Sequence, residues 1–344
     1  MPVPSKRTKK PGQGSSSTSS PAVYDLVDAI ADALGPQPEG VYATISDRIG
    51  ALDGLDRAGG KTWLVIPAVG SDSGNGSLSA PLGTITAATA YASAGDTIGL
   101  LGTTFSEAVT CTKAGLRYVG IGTGPAQTVW TAPTVAGSFC LKLSAASCLL
   151  DNIKIKPVVY TTSGVPSGIL LDTTASYTKM RGVRFQGQTG SYVAVYSPAA
   201  GADNVQVLGC EFLYMNTAAH GQAILGVDAG GLNYSGWHIE GCFFNSNLTH
   251  IDISGRSCCI RGNTFNVGGI GTDGAVNASL TTKCIDLSGT NSGANQVGPG
   301  NSFDGAYTSS LYTGGAAGDN WAGNFAAITA TYCPNGITVP TKPA

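Results

Sequence analysis

Two sets of short apolar segments alternate along the chain between residues 140 and 303. Each member of the first set has an apolar residue, a Gly or Asn corner, a small residue, an outward residue and a final Ile or Phe: LDNIKI (150–155), MRGVRF (180–185), VLGCEF (207–212), IEGCFF (239–244), IRGNTF (260–265) and VGPGNSF (297–303). The second set is CLKL (140–143), ILL (169–171), VAV (193–195), LGV (225–227), IDI (251–253) and IDL (285–287). Two strand signals in each repeat of about 20–40 residues predict one solenoid turn per repeat.

Stacking these turns places equivalent residues about 4.8 Å apart. The aromatic position of the first set then forms a continuous internal stack: Phe185, Phe212, Phe244, Phe265 and Phe303. The adjacent inner position is lined by Val183, Cys210, Cys242, Asn263 and Asn301. The pattern therefore predicts an all-β protein in which residues 61–340 form a single-stranded parallel β-helix.

The N-terminal sixty residues have a different pattern. Residues 1–21 are a flexible basic arm rich in Ser, Gly and Pro. Residues 22–60 contain two short amphipathic stretches, the first with an apolar face at helical spacing: Val23, Leu26, Val27, Ile30 and Leu34. Isolated helices this short are marginal in water. We therefore expect residues 22–60 to serve as an anchor or oligomerisation segment.

Charge is sparse and unevenly placed. Charged residues make up 12% of the chain, and Gly occurs 49 times, which is typical of short strands joined by tight turns. Lys6, Arg7, Lys9 and Lys10 lie at the N-terminus, and without them the chain has 15 basic and 21 acidic residues. An acidic body is a poor match for nucleic acid. We expect the basic cluster to contact an acidic neighbouring protein, and a nucleic-acid-binding tail is the competing interpretation.

The sequence also bears on compartment and cofactors. No apolar segment follows Met1, and no apolar run is long enough to span a bilayer, so we expect synthesis in the cytoplasm without a secretion signal and no membrane contact. The nine cysteines show no CxxC pair and are expected to be mostly buried thiols. Cys210 and Cys242 are adjacent in the ladder, which favours a stack of thiols, with a disulfide as the alternative. No cofactor is expected.

Several outward acidic residues have a basic residue in register one turn away. The predicted pairs are Asp151 with Arg181, Arg184 with Glu211, and Glu240 with Arg261. Their simplest role is structural.

Asp252 and Asp286 differ, because they share an outward position in successive turns with no basic residue in register. Two carboxylates about 5 Å apart have the separation of a retaining glycosidase. The same pair is a candidate Ca²⁺ site. Plain exposed surface is the simplest interpretation, so no catalytic residue is assigned and these two remain the candidates. His250 and Cys284 can also stack in adjacent turns, which is a weak indication of a metal site.

The segment that opens the β-rich region resembles a known family. Its features are Gly70-Ser71-Asp72, Gly76-Ser77, Pro81, Thr84-Ile85, an Ala-rich stretch near 83–93 that predicts a short helix, and Gly95-Asp96-Thr97-Ile98. This string resembles the start of right-handed parallel β-helix proteins of the pectin-lyase-like superfamily, in which the helix caps the first coil. The resemblance implies architecture and carries no catalytic motif.

The plan of the whole chain, a basic arm, short helices and a β-helical body, resembles virion proteins of tailed bacteriophages. That resemblance implies a non-enzymatic structural or attachment protein, such as a capsid decoration, head fibre or tail spike. It also implies a homotrimer held to other virion proteins by its N-terminus, with a host surface glycan as a possible ligand. The alternative is a tailspike depolymerase, a glycoside hydrolase or lyase acting on bacterial surface polysaccharide.

Overall fold

The fold is given by a computed structural model. It describes residues 60–101, 104–122, 128–135, 138–157, 167–187, 193–198, 201–215, 221–226, 234–266, 283–287, 293–304, 312–313, 319–320, 323–327 and 337–338. The predicted arm and anchor, residues 1–21 and 22–60, lie almost entirely outside this part of the chain. So do their named residues: Lys6, Arg7, Lys9, Lys10, Val23, Leu26, Val27, Ile30 and Leu34.

Within the described residues, three long parallel sheets run along the molecule. Sheet 1 comprises Thr62–Val65, Thr97–Leu100, Arg117–Gly120, Leu149–Asp151, Lys179–Arg181, Gln206–Leu208, His238–Glu240, Cys259–Arg261 and Gln296–Val297. Sheet 2 comprises Thr104–Ser106, Val129–Thr131, Lys154–Lys156, Arg184–Gln186, Glu211–Leu213, Phe243–Asn245, Thr264–Asn266, Ser302–Asp304, Asn324–Ala327 and Ile337–Thr338.

Sheet 3 comprises Val109–Cys111, Phe139–Leu143, Ser167–Leu171, Val193–Ser197, Gln222–Gly226, Thr249–Ile253, Lys283–Asp286 and Tyr312–Thr313. Two short strands, Tyr234–Ser235 and Gly255–Arg256, pair separately. The chain visits sheets 1, 2 and 3 in turn and pairs each strand with its equivalent in the next coil. This is a parallel β-helix, and crossovers between parallel strands are right-handed in nearly all proteins.

The register of sheets 1 and 2 confirms the alignment of the first set of segments. Leu150, Met180 and Val207 are register partners in sheet 1, as are Phe185 and Phe212 in sheet 2. The five predicted phenylalanines are fully buried and stacked, with ring centroids 4.9, 4.7, 4.9 and 5.0 Å apart from Phe185 to Phe303. This stack is the centre of the core.

The corner between sheets 1 and 2 explains the Gly or Asn of each segment. At this corner the chain adopts a positive φ at Asn152, Gly182, Gly209, Gly241, Gly262, Gly300 and Gly323, with values from 54° to 83°. A left-handed conformation is easiest for Gly and tolerated by Asn. In the coils from Asn152 to Gly262 the turn therefore closes in two residues and keeps the strands of both sheets in register.

Below this corner, three buried asparagines form a hydrogen-bonded ladder. The Oδ1 of Asn301 accepts the backbone N–H of Asn263 at 3.0 Å, while its Nδ2 donates to the carbonyl of Ile260 at 2.8 Å. Asn324 repeats the pattern toward Asn301 and Val297 at 3.3 and 2.8 Å. The ladder lets polar side chains occupy an interior column, because their polar atoms satisfy backbone groups that the turn leaves unpaired.

The first coil is capped by the predicted short helix, which spans Ile85–Tyr91. The Glu107 carboxylate accepts the N–H groups of Ile85 and Thr86 at its N-terminus, at 3.0 and 2.9 Å. The ammonium of Lys113 donates to the carbonyls of Thr89, Ala90 and Ala92 at the other end. Opposite charges at the two ends complement the helix dipole. The helix thus buries Ile85 and Ala88 over the end of the core.

Sheet 3 places the second set of segments on strands but corrects three registers. Aligning the segments by their first residues makes Cys140, Val193 and Leu225 equivalent to Ile169 and Ile251, whereas the true equivalents are Leu141, Val195 and Ile224. For the segment at 193–195 the reason is that Val193, Ala194 and Val195 are all buried. The first residues of these strands lie against the stack of sheet 2, so inward and outward positions do not alternate there.

Candidate functional site

The three predicted ion pairs are present on the outer faces of sheets 1 and 2. The Arg181 guanidinium contacts the Asp151 carboxylate, and Arg184 contacts Glu211 through its Nε. Arg261 binds Glu240 through two nitrogens at 3.2 Å each, and the hydrogen bond from Arg261 is the main reason that the pKa of Glu240 is lowered. Each pair joins successive coils, so these acids are engaged in holding the coils together.

The Asp pair lies on the outer face of sheet 3. Asp252 and Asp286 are register partners in the adjacent strands Thr249–Ile253 and Lys283–Asp286, as the sequence predicts. Asp252 is half-buried, and Asp286 is buried, with 8% of its surface exposed. The amide of Gln222 donates to the Asp252 carboxylate at 3.4 Å. Adjacent strands lie about 4.8 Å apart, so the two carboxyl groups share one patch of surface.

An apolar column leads to this pair along sheet 3. Leu170, Tyr196 and Leu225 precede Asp252 as outward register partners in successive coils. Tyr196 is half-buried, and burial raises the pKa of its phenol. An aromatic ring about 10 Å from a carboxylate pair offers a flat apolar surface with a polar tip. The sequence interpretation missed this tyrosine, because the register assigned to VAV placed Ala194 at the outward position.

The column and the acid pair have the elements of a saccharide-binding surface. Acidic and amide groups such as Asp252 and Gln222 accept and donate hydrogen bonds to hydroxyl groups, and a ring such as Tyr196 packs on an apolar sugar face. Two adjacent carboxyl groups can also share a proton or hold a hard cation. Catalysis and Ca²⁺ binding at Asp252 and Asp286 remain predictions.

His250 belongs to the core. Its ring is fully buried, 5.7 Å from the rings of both Phe244 and Phe265, and its Nδ1 lies 3.1 Å from the Asn247 amide nitrogen. Burial lowers the pKa of His250 to about 3, so the ring is neutral at pH 7. His250 and Cys284 are both buried in the interior of the β-helix.

All eight cysteines in the described part of the chain are free thiols. Cys210 and Cys242 are both buried, and burial raises the pKa of Cys210 well above its usual range. The predicted stack of thiols is therefore what the structure contains, without the alternative disulfide. Cys111 and Cys148 form a second buried pair, with sulfurs 3.8 Å apart.

The described residues contain no cluster of three or more His, Cys, Asp or Glu side chains arranged to hold a metal ion. Over the same residues, no helix is long and apolar enough to cross a membrane.

Comparison with known proteins gives structural likenesses alone. No family model matches the sequence, and no curated protein matches it. Among solved structures, a rhamnogalacturonan lyase matches with 15% identity and a TM-score of 0.43, over 76% of this chain and 63% of that protein. An alginate lyase from Paenibacillus sp. str. FPU-7 matches with 16% identity and a TM-score of 0.46, over 70% of this chain and 94% of that protein. The Dettilon tailspike protein matches with 15% identity and a TM-score of 0.38, over 76% of this chain and 61% of that protein.

The chain thus spans less than two thirds of the length of the rhamnogalacturonan lyase and of the tailspike protein. At these identities a likeness concerns the fold alone, and here the chain's own sheets establish it. Three parallel sheets, each built from one strand per coil, make this protein a parallel β-helix.

Proposed function

We propose that this chain is a non-enzymatic attachment protein of a tailed-bacteriophage virion. Its β-helix is a rod that binds a bacterial surface glycan, and residues 1–60 hold it to other virion proteins as a homotrimer. The observation that carries the proposal is the use of outward charge: Asp151, Glu211 and Glu240 each bind an arginine of a neighbouring coil. These acids stabilise a rod, whereas a polysaccharide-cleaving site needs acids that exchange protons with substrate.

The N-terminal sequence supports the anchoring part of the proposal. The apolar face that includes Leu26 and Ile30 is too small to form a core alone, so it needs a partner surface. Symmetry-related copies or a groove on another virion protein would supply one. The basic cluster at residues 6–10 would then meet an acidic neighbour in a salt-sensitive contact.

A depolymerase is the second candidate, and the pairing of Asp252 with Asp286 favours it. On that reading the two carboxyl groups would act on a saccharide bound along sheet 3 beside Tyr196. The separation of adjacent strands, about 4.8 Å, is close to that of the two acids in a retaining glycosidase.

Truncation tests the attachment proposal. A protein lacking residues 1–56 is expected to keep the melting profile of the β-helix but to be missing from virions assembled in its presence. Normal incorporation of the truncated protein would refute the anchor. Adsorption to host cells is measured in parallel on virions that carry the full-length protein. Adsorption reports on the rod, whereas incorporation reports on the anchor.

Enzymatic assay separates the two candidates. Purified full-length protein is incubated with a panel of bacterial surface polysaccharides, and viscosity and new reducing ends are followed. The attachment proposal expects binding without cleavage. Cleavage that is lost in Asp252→Asn/Asp286→Asn and retained in the control Asp172→Asn, an acid that is paired with Lys142 near the same sheet, would establish the depolymerase instead.

A further inference from the structure

Two buried thiols meet at the N-terminal end of the core. Cys111 ends the first strand of sheet 3, and Cys148 lies in the turn that leads from the next strand of that sheet into Leu149–Asp151. Both side chains are fully buried, and their sulfur atoms lie 3.8 Å apart. Because a disulfide has about 2.0 Å between its sulfurs, an approach of about 1.8 Å would join the two coils covalently.

A polar environment surrounds the two sulfurs. The sulfurs of Cys111 and Cys148 lie 3.4 and 3.7 Å from the carbonyl oxygen of Lys113. The hydroxyl of Tyr118 hydrogen-bonds to Cys111 and lies 3.2 Å from the hydroxyl of Thr89 in the capping helix. The ammonium of Lys113 donates to carbonyls at the C-terminal end of that helix. The thiol pair therefore lies directly beneath the cap, beside a phenol and an ammonium group that stabilise negative charge on sulfur.

These contacts make the two thiols chemically different. The hydrogen bond from Cys148 lowers the pKa of Cys111. Burial opposes that shift, whereas the hydrogen bond from Tyr118 and the charge of Lys113 add to it. The hydrogen bond to Cys111 and burial raise the pKa of Cys148. Because the thiolate is the nucleophilic form of cysteine, Cys111 is the attacking thiol of the pair and Cys148 is its partner.

The other buried pair, Cys210 and Cys242, has a different electrostatic setting. Burial is the main cause that raises the pKa of Cys210 well above its usual range. The two residues immediately precede the register partners Glu211 and Phe243, so they too lie in successive coils. They therefore provide a matched control, a buried thiol pair of the same core in which the thiolate is disfavoured.

We propose that Cys111 and Cys148 form an oxidation site, in which a small peroxide converts the two thiols to a disulfide that links successive coils beneath the cap. This site does not depend on the proposed attachment function. The Cys111 thiolate attacks one oxygen of hydrogen peroxide, which breaks the O–O bond, forms a sulfenic acid and releases hydroxide. The sulfur of Cys148 then attacks that of Cys111, which forms the S–S bond and releases the sulfenic oxygen as a second hydroxide. The protons of the two thiols convert both hydroxides to water, so two thiols and one peroxide give one disulfide and two waters.

Burial restricts the oxidant to a small molecule. Neither side chain has exposed surface, so a bulky disulfide such as oxidised glutathione is expected to react slowly. The pair lies next to the cap, at the end of the core, where local opening costs less than in the middle of the phenylalanine stack. The disulfide closes the loop of residues 111–148, so it opposes separation of the cap from the coils.

The test follows the full-length protein by peptide mapping. Reduced protein is exposed to hydrogen peroxide, quenched, alkylated in denaturant and digested with trypsin. Cleavage after lysine and arginine places Cys111 in peptide 62–113, Cys148 in peptide 143–154 and both control cysteines in peptide 185–256. The expected product is a cross-link between peptides 62–113 and 143–154 that dithiothreitol reverses. It should form at least about tenfold faster than the thiols of peptide 185–256 are lost.

Two single variants assign the roles of the thiols. Cys148→Ser keeps a hydroxyl that donates to Cys111, so oxidation should stop at the Cys111 sulfenic acid, which dimedone traps. Cys111→Ser should react at least about tenfold more slowly, because the remaining thiol has the higher pKa. Oxidised unmodified protein should melt about 2–5 °C above its reduced form, whereas peroxide should not raise the midpoint of Cys148→Ser.

Four results would overturn the proposal. A cross-link that is absent, or that forms only after the protein is unfolded, would make the pair a structural contact. Equally fast loss of the thiols of Cys210 and Cys242 would show that the environment of Cys111 does not direct the reaction. Faster oxidation of Cys111→Ser than of Cys148→Ser would refute the assigned attacking thiol. A disulfide that leaves the melting temperature unchanged would refute the link between the coils as a stabilising one. The first two results come from the unmodified protein, so they hold even if a variant fails to fold.

Discussion

Phe244 should be among the most sensitive positions of the β-helix. Its ring is fully buried and stacked between Phe212 and Phe265, with centroid distances of 4.7 and 4.9 Å. His250 packs against its side at 5.7 Å. Removing the ring in Phe244→Ala opens a cavity in the middle of a continuous stack, whose neighbours are fixed by the backbone register of three coils. Such a cavity costs about 3–5 kcal/mol of the free energy of unfolding.

Phe243 is the matched control, because it is the same residue one position earlier on the same strand. It faces outward and is half-buried, with Glu211 and Thr264 as its register partners. Phe243→Ala should cost about 1 kcal/mol in a monomer, since it loses part of its apolar contact without leaving an interior void.

Equilibrium unfolding in guanidinium chloride gives both free energies, and thermal midpoints at one scan rate provide a check where unfolding is irreversible. Equal losses at the two positions would refute the register and the proposed core. A loss at Phe243 that grows with protein concentration would instead identify this face as a subunit contact.

Two further predictions concern buried polar groups. Asn301→Ala should lower the free energy of unfolding by about 2–4 kcal/mol, because the N–H of Asn263 and the carbonyl of Ile260 lose their partners. The control Asn266→Ala, on the outer face, should change the free energy of unfolding little. Equal effects of the two variants in denaturant melts would contradict the ladder. The Asp96 carboxylate accepts hydrogen bonds from the backbone N–H groups of Lys61 and Ser93 and from the indole N–H of Trp63. Burial alone would raise the pKa of Asp96, but these hydrogen bonds lower it below the usual 3.8. The stabilisation by the Asp96 carboxylate should therefore be complete above about pH 4 and be lost as the pH falls through the lower folded-state pKa. Asp96→Asn should cost about 2 kcal/mol of the free energy of unfolding at pH 7 and make that free energy less dependent on pH in the acid range. An unchanged dependence on acid pH would refute the assignment.

The sequence predicted sheets 1 and 2 well because their corner is short and chemically marked. Gly182, Gly209 and Gly241 fix the number of residues between the two strands, so aligning the segments aligns the coils. The phenylalanine stack and the ion pairs of Asp151, Glu211 and Glu240 followed from that alignment. The hydrogen bonds of the asparagine ladder did not, because a buried Asn in a strand-like pattern does not specify which backbone groups it will meet.

Sheet 3 was less predictable, because segments of varied length and without a fixed corner residue separate it from sheet 2 in the sequence. Its strands also begin with inward residues at successive positions. Gly168 shows why: a Cβ there would lie 2.7 Å from Ile155 and 3.3 Å from Phe185. The sequence VAV at 193–195 therefore predicts a strand with alternating inward and outward residues, whereas all three residues are buried in the structure. A slip in register changes the outward set, and this one concealed Tyr196.

The role of an outward acid in this fold therefore depends on what occupies the same position one coil away. Asp151 and Asp252 both face outward from a strand flanked by apolar inward residues. In register with Asp151 stands Arg181, and the two form an ion pair that ties coils together. In register with Asp252 stand Leu225 and Asp286, which leaves a carboxylate pair beside an apolar column. Register thus decides which side chain an outward acid of this β-helix meets one coil away, and placing a site in such a chain requires the length of every coil.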